Sequence, residues 1–266
     1  MPAESCTRRA LLVAAPLLWL PPACAWATAA GGRLFVDDAG RRVVLPARIT
    51  RVFAAGAPAE VLLYTLVPEM LVGRNHMPSE AAQEFMPAAF RHPQPIVWLP
   101  DPDGAEHDAE LLALRPDVYI DYGDLDADYV QSVSNVQART GIPGIILDGR
   151  YEQIPRVYRK LGAALGVAPR GRQLARATER LLQRYPPGAA DSARGALPTV
   201  PFSWGPRPPS VNRLPGLIWQ SYIAGNRPFD AAFYTELREF FALFYHYRPS
   251  EVQLRQRVES TLAESR

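Results

Sequence analysis

The chain has 266 residues, 48% of them hydrophobic, which is enough for one large domain or two small ones around a proper core. Its 29 basic and 27 acidic side chains leave a formal charge of +2, and no Lys/Arg run is interleaved with aromatics, so nucleic acid is excluded as a partner. Both cysteines, Cys6 and Cys24, fall in an N-terminal export segment, which excludes disulfides, thiolate metal sites and a cysteine nucleophile from the mature protein.

That segment, residues 1–27, reads as a signal peptide. "TRRALLVAAPLLWLPPACAWA" has an arginine pair (Arg8, Arg9), an apolar run from Ala10 to Leu20, and an A-x-A step at Ala25-Trp26-Ala27. As a helix the run spans only about 16 Å, half a bilayer core, so a cleaved signal fits better than an anchor. The arginine pair loosely resembles a twin-arginine signal. A lipobox fails because Pro21 stands where Leu is required before Cys24.

From residue 33 the chain alternates. "RLFVDDAGRRVVLP" (Arg33–Pro46) is a hairpin signal, two apolar runs around Asp-Asp-Ala-Gly. "RVFAAG" (Arg51–Gly56) predicts a buried strand, "PAEVLLYTL" (Pro58–Leu66) a helix with Pro in its first turn, and "MLVGR" (Met70–Arg74) a strand. "SEAAQEFMPAAF" (Ser79–Phe90) is helical with a break at Pro87, and "PIVWL" (Pro95–Leu99) is strand-like. "DAELLAL" (Asp108–Leu114) predicts a helix ending before Arg115-Pro116. "DVYIDY" (Asp117–Tyr122) and "IPGIILDG" (Ile142–Gly149) predict strands around a helix over Asp126–Thr140 with Gly141 at its C-cap. A long helical stretch in two parts runs from Tyr151 to Tyr185, and "PPGAADSARGALP" is a linker by composition.

This order predicts an α/β fold: a Rossmann-like lobe over 33–150 with a mostly parallel sheet, linking helices over 151–185, and a mainly helical segment over 186–266. Ligands of such sheets bind beyond the carboxyl ends of the strands, here Ala55–Pro58, Arg74–His76, Leu99–Asp101, Tyr122–Asp124 and Asp148–Tyr151. The turn "AAGAPAE" has one glycine where a dinucleotide fingerprint needs three, and neither a Walker sequence nor a G-x-S-x-G elbow occurs. "DPDGAEHDAE" (Asp101–Glu110) misplaces the glycine of a calcium loop and reads as acids before a helix N-terminus. His76, Glu80 and Glu84 share an i, i+4, i+8 spacing, which suits a solvated face better than a metal site. No catalytic residue, metal or cofactor is therefore expected. Arg74 and Arg150, with Tyr122, Tyr151 and Trp98 nearby, suit an oxygen-rich anionic ligand as well as they suit ordinary surface positions.

"VDDAGRRVVLPARITRVFAAGAPAEVLLYTLVPEMLVG" resembles the start of periplasmic substrate-binding proteins of ABC importers for iron–siderophores, haem and cobalamin. "LLALRPDVYID", "TGIPGIILDG" and "LGAALG" (Leu161–Gly166) continue that resemblance in order, from Arg33 to about Tyr185. It implies two α/β lobes joined by a helix, a ligand held in the cleft between them, and docking on an inner-membrane permease through one carboxylate per lobe. The protein is then a periplasmic monomer whose partners are a metal-chelate ligand and an ABC permease, and it performs no chemistry. Candidate ligand contacts are Ala57, Arg74, His76, Tyr122, Arg150 and Trp204.

The chain departs from the family pattern twice. Ala109 stands where the docking carboxylate belongs, with Glu110 one residue away. "PFSWGPRPPSVNRL" resembles the family's final section yet follows the linker directly, which implies that most of the second lobe is absent. "AAFYTELREFFALFYHYRPSEVQL" resembles the terminal helices, with Ser250 and Gln253 as a capping box. Pro215 is expected to kink a helix over Pro209–Ile223. The alternative function is a non-transporting remnant or single-lobe sensor that clasps no ligand.

Overall fold

The Asp-Asp-Ala-Gly stretch turns the chain between strands β1 (Arg33–Val36) and β2 (Arg42–Leu45), paired antiparallel with Leu34 opposite Val44. Gly40 takes φ +78, a conformation that L side chains rarely adopt, and this closes the turn. The computed structural model describes residues 31–74, 80–91, 95, 104–187 and 211–264.

Three strands form the central parallel sheet: β3 (Val52–Ala54), β4 (Val118–Gly123) and β5 (Gly144–Asp148), in the order β3-β4-β5. Val52 pairs Val118, and Tyr119 pairs Gly144. A parallel bridge from Val52 to Leu71, with the Val72 N–H donating to the Val52 carbonyl at 3.0 Å, lies on the other side of β3. The predicted strand at Met70–Arg74 is thus reduced to bridge contacts. Gly73, at φ +75 with the Leu114 side chain 2.8 Å from a built Cβ, turns the chain away. The chain leaves β3 toward one side and returns to pair on the other, which makes β3/β4 a topological switch point.

Alternation along the strands splits the interior. Val118, Ile120 and Tyr122 of β4 and Ile145 and Leu147 of β5 enter one large apolar cluster. Tyr119 and Ile146 point the other way into a smaller one. The large cluster takes helices α1 (Ala57–Leu66), α6 (Ile154–Ala164) and α7 (Ala168–Arg184). The smaller one takes α4 (Asp108–Leu114) and α5 (Ala127–Thr140). Short helices α2 (Glu80–Gln83) and α3 (Ala88–Arg91) flank Pro87, as the proline break predicts. Both ends of α5 follow local chemistry. Asp126 accepts from the Tyr129 N–H at 2.8 Å, and Gly141 sits at φ 72.

α6 and α7 pack against each other through glycines. A Cβ on Gly171 would lie 2.4 Å from the Tyr158 carbonyl, and one on Gly162 would lie 2.9 Å from the Gly171 Cα. Arg170, near the start of α7, donates to the Thr65 carbonyl at 3.0 Å and to the Leu243 carbonyl, so one guanidinium serves the last turns of two helices.

After Pro187 the described residues contain helices and no strand. α8 (Leu214–Ala224) follows a 3-10 turn at Val211–Arg213. Pro215 lies in the first turn of α8, where its missing N–H has no intrahelical partner to lose, so the expected kink is absent. α9 (Ala231–Phe244) is capped by Asp230, and α10 (Glu251–Glu264) by the predicted box. The Ser250 N–H donates to Gln253 Oε1 at 2.9 Å, and the Gln253 N–H donates to Ser250 Oγ at 3.2 Å. These helices share the large apolar cluster with the sheet.

Candidate functional site

Parallel register brings the carboxyl ends of β3, β4 and β5 to one edge of the sheet. Ala57, the first residue of α1, stands half-buried at the end of β3. Arg150 follows β5 with its side chain 64% exposed. Gly149 keeps the ends of β4 and β5 close. Its N–H donates to the Gly123 carbonyl at 2.8 Å, and a Cβ there would stand 3.0 Å from the Gly123 Cα.

Arg150 is held rather than free to sweep. Its Nε lies 3.0 and 3.1 Å from the two Asp148 carboxylate oxygens, and its Nη2 donates to Oδ2 at 2.6 Å. Burial pushes the Asp148 carboxyl up, but the hydrogen bonds from Arg150 outweigh it and hold the group below the usual carboxylate range. The result is a positioned guanidinium at the strand end, whose Nη1 makes no hydrogen bond or ion pair among the described residues.

A second carboxylate stands behind this clasp. Asp38 Oδ2 accepts the Asp148 N–H at 3.0 Å, while Oδ1 accepts from Arg156 Nη1 at 2.7 Å and Lys160 Nζ at 2.5 Å. Burial raises the Asp38 carboxyl, and the bonds from Arg156, the Asp148 amide and Lys160 together bring it below its ordinary value. A carboxyl depressed in the folded state contributes stability that is present above its unfolded pKa and lost as pH falls through the folded one. Urea melts of the wild type are therefore expected to weaken more steeply below about pH 4 than those of Asp38→Asn. Parallel pH profiles would refute this role for Asp38.

Two predicted contacts are turned inward. Tyr122 is 1% exposed and points into the large cluster with its hydroxyl unpartnered among the described residues, and burial pushes that hydroxyl well up. Arg74 is 6% exposed, its Nε 3.7 Å from Glu60 Oε1 and its Nη2 donating to the Phe90 carbonyl at 2.6 Å. It ties α1 to α3 beneath the edge. His76 and Trp204 lie outside the described residues. Sequence reasoning missed the parts played by Asp148, Asp38 and Gly149. The D-D-A-G turn and the "LDG" that ends β5 are the signals that carry them.

Among the described residues no group of three or more His, Cys, Asp or Glu is placed to hold a metal, and no helix is long and apolar enough to cross a membrane. No family model matches the sequence, and no curated protein matches it. Solved structures do. An ABC transporter solute-binding protein from Sulfurospirillum deleyianum superimposes with a TM-score of 0.68 at 17% identity, over 85% of this chain and 99% of that one. The chain has the fold of solute-binding proteins. A periplasmic solute-binding protein from Veillonella parvula gives 0.62 at 14% identity, over 88% and 100%. The molybdate-bound periplasmic protein MolA of a Haemophilus influenzae ABC transporter gives 0.58 at 12% identity, over 82% and 99%.

Proposed function

We propose that this protein is the periplasmic solute-binding component of an ABC importer, and that its ligand is an anionic metal complex of the iron-chelate class, a siderophore or haem. The observation that carries this reading is Arg150, an exposed guanidinium clasped by Asp148 at the carboxyl edge of a parallel sheet in a solute-binding fold. The match to solved binding proteins over 99–100% of their length supports an intact binder. An inner-membrane permease is the partner that would receive the ligand.

The second reading is a remnant or single-lobe sensor, favoured by the absence of any strand among the described residues after Pro187. One titration separates the two. The folded chain is mixed with ferric siderophores, haem, cobalamin and molybdate, and binding is followed by calorimetry. Micromolar or tighter affinity for one of them is expected. Arg150→Glu should weaken it at least tenfold, since a hydrogen bond to a charged group is worth about 1.5–3 kcal/mol. A folded chain silent toward all four selects the remnant. Undiminished binding by the variant removes Arg150 from the site.

A further inference from the structure

The chain's charge is unevenly spread. Residues 154–184, which make α6 and α7, carry eight cations and one carboxylate, Glu179, in a protein whose whole formal charge is +2. Some of these cations are engaged. Arg156 and Lys160 hold Asp38, Arg159 pairs Glu179 at 2.7 Å, and Arg170 joins two helix ends. Arg172, Arg176 and Arg180 are exposed and make no hydrogen bond or ion pair among the described residues. Arg184, 61% exposed, has Glu236 at 3.7 Å.

These four arginines recur at i, i+4, i+8 and i+12. Each step of four turns the helix by about 40°, so they lie on one continuous face and span about 18 Å. Like charges at this spacing oppose the helix that carries them. An anionic partner laid along the stripe would reverse that sign.

The surroundings select the partner. Arg172, Arg176 and Arg180 stand exposed along one helix, so the row suits a surface that supplies anionic charge along its whole length rather than one small molecule. Beside it, between α7 and α9, a groove of about 330 Å³ opens over Leu181, Ile218, Phe240 and Leu243, with Arg180 and Arg184 on its rim. Ile218 and Phe240 are buried at its floor, so the row meets a partner by charge, as a polybasic segment meets an anionic leaflet.

We infer that the exposed face of α7, Arg172-Arg176-Arg180-Arg184, adsorbs the protein to an anionic phospholipid leaflet. This is independent of which ligand the sheet edge binds. The test is co-sedimentation of the full chain with vesicles of neutral phosphatidylcholine alone or mixed with phosphatidylglycerol. Stronger binding to the anionic vesicles is expected, falling as salt rises. Each arginine near such a surface strengthens binding about fivefold, so Arg172→Glu/Arg176→Glu/Arg180→Glu should lose it by at least about a hundredfold while circular dichroism stays unchanged. Single reversals should each lose part of it if the triple variant does not fold. Equal binding to both vesicle types, undiminished binding by the variants, or tighter binding to duplex DNA than to the anionic vesicles would overturn the inference.

Discussion

Asp37→Ala is expected to destabilise the protein by about 3–5 kcal/mol, the cost of removing one partner from a buried, hydrogen-bonded ion pair. The Asp37 side chain is fully buried and fully used. Oδ1 accepts the Ala39 and Arg41 amides at 3.1 and 2.9 Å, and Oδ2 accepts Arg41 Nε at 2.9 Å and the Ile146 amide at 3.3 Å. The last bond gives the residue its weight. β5 is the outer strand of the parallel sheet, and its free edge is closed by the hairpin turn instead of by another strand. Arg41 Nη2 donates to the Gly144 carbonyl at 2.7 Å, the Asp38 amide donates to the Ile146 carbonyl at 3.0 Å, and Asp38 takes the Asp148 amide. Removing the Asp37 carboxylate opens the turn, leaves the Ile146 amide without its acceptor and strips Arg41 of its counter-ion. For a domain of this size the loss corresponds to a drop of roughly 6–20 °C in Tm. An uncovered edge also invites pairing with another chain, so the variant should aggregate on heating. A thermal melt within 2 °C of the wild type would mean that the hairpin does not close this edge.

What the sequence discloses follows the range of the interaction. The hairpin, the caps of α5 at Asp126 and Gly141, and the Ser250–Gln253 box are decided by residues within four positions of one another, and each forms as its local chemistry requires. The strand–helix alternation is equally legible, because each element's apolar period belongs to itself. The direction in which a side chain finally points is a different matter. Tyr122 shares its parity with Val118 and Ile120, and that parity faces the larger cluster only because α1, α6 and α7 all settle on that side. Arg74 reads as a crevice cation until Glu60, fourteen residues earlier on α1, and the Phe90 carbonyl are brought to it. Arg150 stands at the strand end where the sequence places it, and its partner is only two residues away. Pro215 departs from its expectation for a related reason: the helix begins at Leu214, which makes the proline a first-turn residue instead of a breaker.

Phe233→Ala tests whether the C-terminal helices and the α/β lobe are one cooperative unit. Phe233 is fully buried on α9, with ring centroids 4.8 Å from Tyr222, 4.7 Å from Phe229, 5.2 Å from Tyr234 and 6.2 Å from Trp219. Truncating a phenylalanine so enclosed costs about 3–5 kcal/mol, since the transfer loss adds to a cavity that the surrounding rings refill only in part. Composition draws a boundary at the linker after Tyr185, and a separate C-terminal unit would confine this loss to α8–α10. The contacts argue otherwise. Tyr64 of α1 donates to the Tyr245 carbonyl at 2.8 Å, His246 Nε2 lies 3.1 Å from the Tyr64 carbonyl, and Arg170 joins the ends of α1 and α9. Phe233 and the sheet residue Ile120 belong to one apolar cluster. A single unfolding transition is therefore expected, shifted down as a whole. Amide exchange in β4 and α1 should accelerate together with exchange in α9, because the global opening is what the variant makes easier. Exchange that quickens in α9 while β4 keeps its wild-type protection would divide the chain at the linker and refute the shared core as the unit of stability.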